Sequence, residues 1–300
     1  MYSTIKNGVI YELTISTDLE GKSVQSILKE HWKLPKKMVH QWRMEKAAGV
    51  NGQPADWLAP LAAGDRLSLP LFRESEEAVF PSNLTVEWLY EDNHILVANK
   101  PAGMKTHPNA SSETDTLLNA AAHRVYQSEK SSFIRHVHRL DEQTSGAVLF
   151  AKHEAAYAVF SRLLEERSIK RTYLAAVQGC LKKQKGILNQ SIGRDRHHPT
   201  RRRVSPSGQK AITHYEVIKE DKEQGFSIVK CQLATGRTHQ IRVHFSAIGH
   251  PLLGDRLYGG KPILSRQALH AAEISIPHPF IGETITCSAD APPDLLTFFR

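Results

Sequence analysis

The sequence predicts an α+β fold, a mostly antiparallel mixed sheet flanked by helices, with a small α/β module in front of it. Three observations carry this reading. Val86-Glu87-Trp88-Leu89-Tyr90 and Ile95-Leu96-Val97-Ala98 are apolar runs joined by a turn at Glu91-Asp92-Asn93, as in a β-hairpin. Two later segments repeat apolar residues at helical spacing, and the stretches around 213–218 and 226–233 favour strands. Helices and strands are therefore mixed without the regular alternation of a parallel α/β protein. The 300 residues, 40% hydrophobic and 23% charged, have a globular composition.

The first module covers residues 1–80. Ser23 to Glu30 and Lys36 to Lys46 read as helices, Val50-Asn51-Gly52-Gln53 as a turn, and Gly64 to Leu69 as a short closing strand. Lys33, Lys36, Lys37, Arg43 and Lys46 stand together against Glu45 alone, a pattern that fits a phosphate-touching face or a solvated helix equally well. Phe72-Arg73-Glu74-Ser75-Glu76-Glu77, then Pro81-Ser82-Asn83, read as a polar linker, so the larger domain is placed at 81–300. In it, Leu117, Leu118, Ala121, Ala122 and Val125 mark one helix, and Ala156, Val159, Phe160, Leu163 and Leu164 a second. Gly146 to Phe150 reads as a buried strand between them, and Lys170 to Val177 as another strand.

Charge points to a polyanionic partner. The net charge is +8 and the pI near 9.3. Residues 1–80 carry ten basic and ten acidic side chains, whereas residues 161–260 carry nineteen basic against eight acidic. The run Arg194 to Arg203, with Arg201, Arg202 and Arg203 at its end, is too basic to bury and reads as an exposed phosphate-binding loop. Cys180, Cys231 and Cys287 lie far apart with no C-x-x-C spacing, which argues against a disulfide framework or a cysteine zinc site and fits a reducing cytoplasm. Neither a signal peptide nor a membrane span is visible. Nucleotide-binding glycine loops, the H-E-x-x-H pair and the G-x-S-x-G elbow are absent, and no ligand set completes the histidines, so no metal is expected.

Two segments concentrate chemistry. His136 to Gly146 packs bases, the carboxylate of Asp141, hydroxyls and a glycine into a loop before a buried strand, where a carboxylate held ionised by a cation can act as nucleophile or general base. Leu233 to Phe245 turns at Gly236 into a helix with Ile241, Phe245 and Ile248 on one face and Gly249 as its stop. Arg237 sits at that turn, placed either to offer a bidentate guanidinium to a carboxylate elsewhere, the partner Asp141 would need, or to bond carbonyls of its own turn. Tyr173, on the strand between, has the ring to stack on a base and the hydroxyl to move a proton, although most strand tyrosines only pack.

Together these residues resemble a known family. His138-Arg139-Leu140-Asp141, followed by Thr144-Ser145-Gly146, resembles the signature of the RluA family of RNA pseudouridine synthases. Tyr90-Glu91-Asp92 through Asn99-Lys100-Pro101-Ala102-Gly103, the tyrosine strand Lys170 to Gly179, Thr235 to His244, Gly249 to Asp255 and Leu269-His270-Ala271 continue the pattern in the family's order over about 84–290. The N-terminal module resembles, in degenerate form, the S4-like RNA-binding domain found beside it. The resemblance implies the pseudouridine synthase fold and a cofactor-free isomerisation of uridine within structured RNA. It makes Asp141 the carboxylate that attacks C1′ of the sugar or C6 of the base, Tyr173 the residue against the uracil, and Arg237 the partner of Asp141. Arg139 would fill the space left by the flipped base, with His138 beside it among the substrate-binding residues. Ile241 would wall the uracil pocket, and Lys100 with Arg201, Arg202 and Arg203 would hold the RNA backbone. Ribosomal RNA is favoured over transfer RNA, and a cytoplasmic monomer over a membrane-bound or oligomeric protein. The rivals are a metal-dependent RNA hydrolase built on the histidines and Asp141, and a non-catalytic RNA-binding or assembly factor, which would need the Asp141, Tyr173 and Arg237 set broken.

Overall fold

Alternate residues of one central strand face two different cores, and that organises the molecule. The structure, a computed structural model, describes residues 2–73, 79–128 and 133–299. The Glu74 to Glu77 part of the expected linker lies outside them. In the strand Ser145–Ala151 every residue is buried. Ala147, Leu149 and Ala151 join one apolar cluster, and Val148 and Phe150 join the other, as the two-residue period of a strand requires.

The large sheet has the path Lys185–Leu188, Thr213–Asp221, Phe226–Leu233, Lys170–Gln178, Leu269–His278, Ser145–Ala151, Ile95–Lys100, Glu87–Glu91. Along it the neighbours are antiparallel except at the centre, where Ser145–Ala151 runs parallel to Leu269–His278 with His270 opposite Ser145. The expected mostly antiparallel mixed sheet is what forms. Helices Leu117–Ser128 and Gln240–Ala247 supply apolar residues to one face, and Glu154–Glu165 to the other. The last of these is capped by His153, whose Nδ1 accepts from the Ala156 N–H at 3.1 Å.

Residues 4–69 form a second, five-stranded sheet in the order Thr4–Asn7, Ile10–Thr14, Arg66–Leu69, Gly49–Val50, Gln53–Pro54. Asn51 and Gly52 have φ of 52° and 81°, the left-handed pair that closes a two-residue hairpin turn. The helix expected from Ser23 is a single α turn, Val24–Ser26, that passes into a π turn at Ile27–His31, while Lys36–Met44 is α-helical.

This module shares a core with the large sheet. Tyr11, Trp32 and Phe72 belong to the cluster that contains Leu149, Phe160 and Phe280. The Tyr11 hydroxyl donates to the Phe280 carbonyl at 3.0 Å, the Trp32 indole N–H to that of Pro279 at 3.2 Å, and the Tyr2 amide to that of Ile281 at 3.0 Å. His94 is stacked on Phe280 at 4.5 Å and hydrogen-bonded to His153 at 2.8 Å in the same contact.

Candidate active site

The loop before Ser145–Ala151 is fixed from beneath by the segment that follows Ile95–Lys100. Thr106 both donates to the Leu140 carbonyl at 3.0 Å and accepts from the Leu140 amide at 3.1 Å. The Lys100 ammonium donates to the carbonyls of Pro101, Met104 and Glu142 at 2.9, 2.6 and 2.8 Å. Gly146 has φ of 115° and lies so close to the next strand that a Cβ would fall 2.2 Å from the Ala271 carbonyl oxygen, so only glycine lets these strands meet. The loop is thereby a rigid ledge, and Asp141 stands on it half-buried.

Asp141 is paired with Arg242. One carboxylate oxygen, Oδ2, accepts from the Arg242 guanidinium at 3.0 Å, and the same guanidinium makes a fork to Asp255 at 2.7 and 2.9 Å. Arg242 also lies over the Tyr258 ring at 4.9 Å. Burial alone would lower its pKa, but the hydrogen bonds and charges of Asp255 and Asp141 outweigh this and push it above its ordinary value. The guanidinium is a fixed cation between two carboxylates.

The expected pairing with Arg237 is therefore corrected. Arg237 is exposed on the turn before the helix, and its Nε donates to the Lys210 carbonyl at 3.2 Å. Arg242 takes its place because Gln240 through Phe245 are all buried, so an arginine inside that helix must find a carboxylate. The RNA-backbone role expected of Lys100 is also corrected. Its ammonium is wholly buried beneath the loop, burial pushes its pKa down to about 7, and its bonds are to carbonyls of the protein.

His239 opens the helix in a left-handed conformation, φ 59°, with Nε2 3.7 Å from the Oδ2 of Asp141 and Nδ1 2.8 Å from the Tyr258 hydroxyl. Tyr258 in turn accepts from the Arg202 amide at 2.9 Å. Sequence reasoning gave His239, Arg242, Asp255 and Tyr258 no place in the site. The usable signal was Asp255, one of few acidic residues in a strongly basic region.

A cavity of about 460 Å³, of the size that holds a small ligand, opens beside Asp141. Asp141, Tyr173, Arg237, Arg139, His138 and Ile241 all line it, whereas Lys100, Arg201, Arg202 and Arg203 do not. Tyr173 and Ile241 are buried and Arg139 is exposed at the rim. Burial raises the Tyr173 hydroxyl above its usual value, with Asp141 adding to the effect and Arg171 opposing it. His138 faces inward, its Nε2 accepting from the Leu149 amide at 3.2 Å, and burial holds it neutral. The basic run expected as a loop is a hairpin of Ile192–Arg194 and Arg202–Val204, with a turn braced by the Arg201 to Asp195 ion pair at 2.6 Å. Arg203 is exposed on it. Among the described residues no three His, Cys, Asp or Glu side chains cluster as a metal site, and no helix is long and apolar enough to cross a membrane.

Comparison with known proteins matches the same region. Residues 94–247 fit the model of the RNA pseudouridylate synthase family, and residues 11–67 that of the RluD ribosomal pseudouridine synthase N-terminal domain. The chain is 43% identical over 290 residues to the uncharacterized RNA pseudouridine synthase YhcT of Bacillus subtilis, covering 96% of each. It is 35% identical to the ribosomal large subunit pseudouridine synthase D of Neisseria meningitidis, over 94% of this chain and 79% of that one. Among solved structures, human RNA pseudouridylate synthase domain containing 1 superposes with a TM-score of 0.59 at 27% identity, over 72% of this chain and 88% of that one.

Proposed function

The chain belongs to the RNA pseudouridine synthase family, and from that premise we propose that it isomerises specific uridines of large-subunit ribosomal RNA with Asp141 as nucleophile. The observation that carries the residue assignment is the state of that carboxylate. Oδ2 is tied to Arg242, while Oδ1 makes no hydrogen bond among the described residues, and Asp141 lines the cavity. An ionised carboxylate with one oxygen anchored and one free is arranged to attack carbon.

The target uridine must leave its stack to reach that oxygen, which takes about a few kcal/mol that contacts at the rim offset. Arg139, exposed beside Asp141, is a planar cation able to occupy the space left behind. Oδ1 then attacks C1′, the glycosidic C1′–N1 bond breaks, and the uracil turns against Tyr173 and Ile241 until C5 faces the sugar. The new C1′–C5 bond forms as Asp141 departs, and last the C5 proton is lost while N1 takes up a proton from solvent, so that the product is a neutral isomer of uridine. Tyr173, buried beside the base, is the group proposed to receive the C5 proton.

Relatives named as large-subunit rRNA synthases, aligned over most of the chain, support the choice of ribosomal RNA. Exposed Lys36, Lys37 and Arg43 on the helix of the N-terminal module support a second RNA contact there. The test is to incubate the protein with total RNA from cells lacking it and map pseudouridines at single-nucleotide resolution. Wild type is expected to add a discrete site, and Asp141→Asn none, with RNA affinity kept. Normal yield from Asp141→Asn would refute the assignment.

A further inference from the structure

One buried cation in the cavity has no partner among the described residues. Three arginines are less than 9% exposed. Arg242 is held by Asp141 and Asp255, and Arg266 by Asp294 and the Gln143 carbonyl. Arg171 is 8% exposed, yet among the described residues its guanidinium makes no hydrogen bond or ion pair, and its Nε is a buried donor without an acceptor. A desolvated charge with nothing to neutralise it is unfavourable, and folds keep one where a ligand completes it.

Its position says which part of the ligand. Arg171 lies two residues before Tyr173 on the strand Lys170–Gln178, and both line the cavity with Asp141. Its guanidinium is packed beneath the turn at Gly236, where an added Cβ would stand 3.2 Å from Nη1. The cations that suit phosphates, which stay hydrated, are the exposed Arg167 and Arg237 at the rim. Arg171 is deep, where the flipped base arrives rather than its backbone. The field of this cation reaches the Tyr173 hydroxyl, where it opposes the rise that burial causes, and the His138 ring, where it adds to the fall that burial causes.

When C1′–N1 breaks, its electron pair passes to N1 and spreads over the uracil O2 and O4, so the departing base is an anion. We propose that Arg171 donates hydrogen bonds to those carbonyl oxygens and stabilises the uracil anion between cleavage of the N-glycoside and formation of the C-glycoside. The charge is consumed when C5 bonds to C1′, and Arg171 returns to its unpartnered state. This rests on the isomerisation proposed above and adds to it the group that bears the leaving-group charge, in the manner of an oxyanion hole.

The test uses the full chain and RNA labelled with [5-³H]uridine, from which C–C bond formation at C5 releases tritium. With enzyme in saturating excess, Arg171→Met is expected to release tritium about 100-fold more slowly than wild type, as when one preorganised donor is removed. RNA affinity by filter binding should stay within about threefold, because phosphate contacts at the rim set it. Arg171→Lys should recover part of the rate, restoring charge without the planar fork. On RNA carrying 5-fluorouridine, whose base leaves more readily as an anion, the Arg171→Met deficit in glycosidic cleavage, read by nuclease digestion and mass spectrometry, should shrink about tenfold. Removing an unpaired charge should leave the melting temperature equal or higher. If Arg171→Met melts lower, Arg171→Lys and its two substrates decide the matter by the same comparison. Wild-type rates in Arg171→Met, an equal deficit on both substrates, or a deficit that saturating enzyme abolishes would each overturn the proposal. Failure of wild type to release tritium would instead refute the underlying isomerisation.

Discussion

Replacing Arg242 by Met should damage both stability and catalysis, whereas replacing Arg237 by Ala should leave stability intact. The Arg242 side chain is 8% exposed, and its two partners differ, Asp255 at 1% and Asp141 at 22%. Removing one member of a buried ion pair leaves the other charge uncompensated and costs about 3–5 kcal/mol. Most of that falls on Asp255, which is the deeper and receives two of the three hydrogen bonds. A domain of this size loses about 2–4 °C per kcal/mol, so a fall of about 10 °C is expected by calorimetry. Pseudouridine formation should fail as well, since Oδ2 of Asp141 loses its anchor. Arg242→Lys should rescue neither, because one ammonium cannot reproduce a fork to Asp255 and a bond to Asp141 together. Arg237 is exposed with a single bond to a carbonyl, so Arg237→Ala should stay within about 0.5 kcal/mol of wild type. An unchanged melt for Arg242→Met, or a large drop for Arg237→Ala, would refute the assignment of the buried pair.

Lys100→Met removes three bonds to carbonyls around the Asp141 loop and should destabilise by about 1–3 kcal/mol, lowering turnover while RNA affinity is unchanged; weakened filter binding at normal turnover would contradict this. Stability should fall on acidification. Burial pushes His94 down to about 3, so between that value and its unfolded value near 6.5 the unfolded chain binds more protons, and stability present at neutral pH is lost as pH falls. Melting temperature against pH should show this slope in wild type, and His94→Phe should flatten it; a slope unaltered by the substitution would sink the attribution. Deleting residues 1–73 should leave an insoluble or non-cooperative remainder, because it strips the cluster around Phe280. A soluble fragment with the wild-type melt would show the two parts to be independent.

Local pattern made much of this readable, and partnership did not. The hairpin at Glu87–Glu91 and Ile95–Lys100, the strand that carries Tyr173 and the helix after Gly236 follow from alternation, helical spacing and turn residues, which act over a few positions. Asp141 stood out because polar groups crowded a loop before a buried strand. Choosing its arginine required knowing which side of a short helix is covered, and Gln240 to Phe245 are covered all round. Arg237 and Arg242, five residues apart in one motif, are indistinguishable by charge. Their difference arises from a fork to Asp255 that only the folded chain brings close. Lys100 misled for the same reason, since a lysine beside a Pro-Ala-Gly turn has the composition of a surface residue.

The contact between the N-terminal module and the large sheet bears on how the site is held. Leu149 and Ala151 pack into the core shared with Tyr11 and Trp32, while Val148 and Phe150 support the core that contains Tyr173 and Ile241. The strand that begins four residues after Asp141 is therefore clamped from both sides. Its register is fixed by the close approach of Gly146 to Ala271. The module's basic helix packs Val39 and Trp42 into that shared core, so RNA bound there would be presented on the same body as Asp141. A charge reversal of Lys36, Lys37 and Arg43, which leaves the shared core untouched, should weaken RNA binding and lower the salt slope without changing the single-turnover rate at saturation. A loss of that rate at saturation would mean that the module acts on the site itself, through the strand it buries.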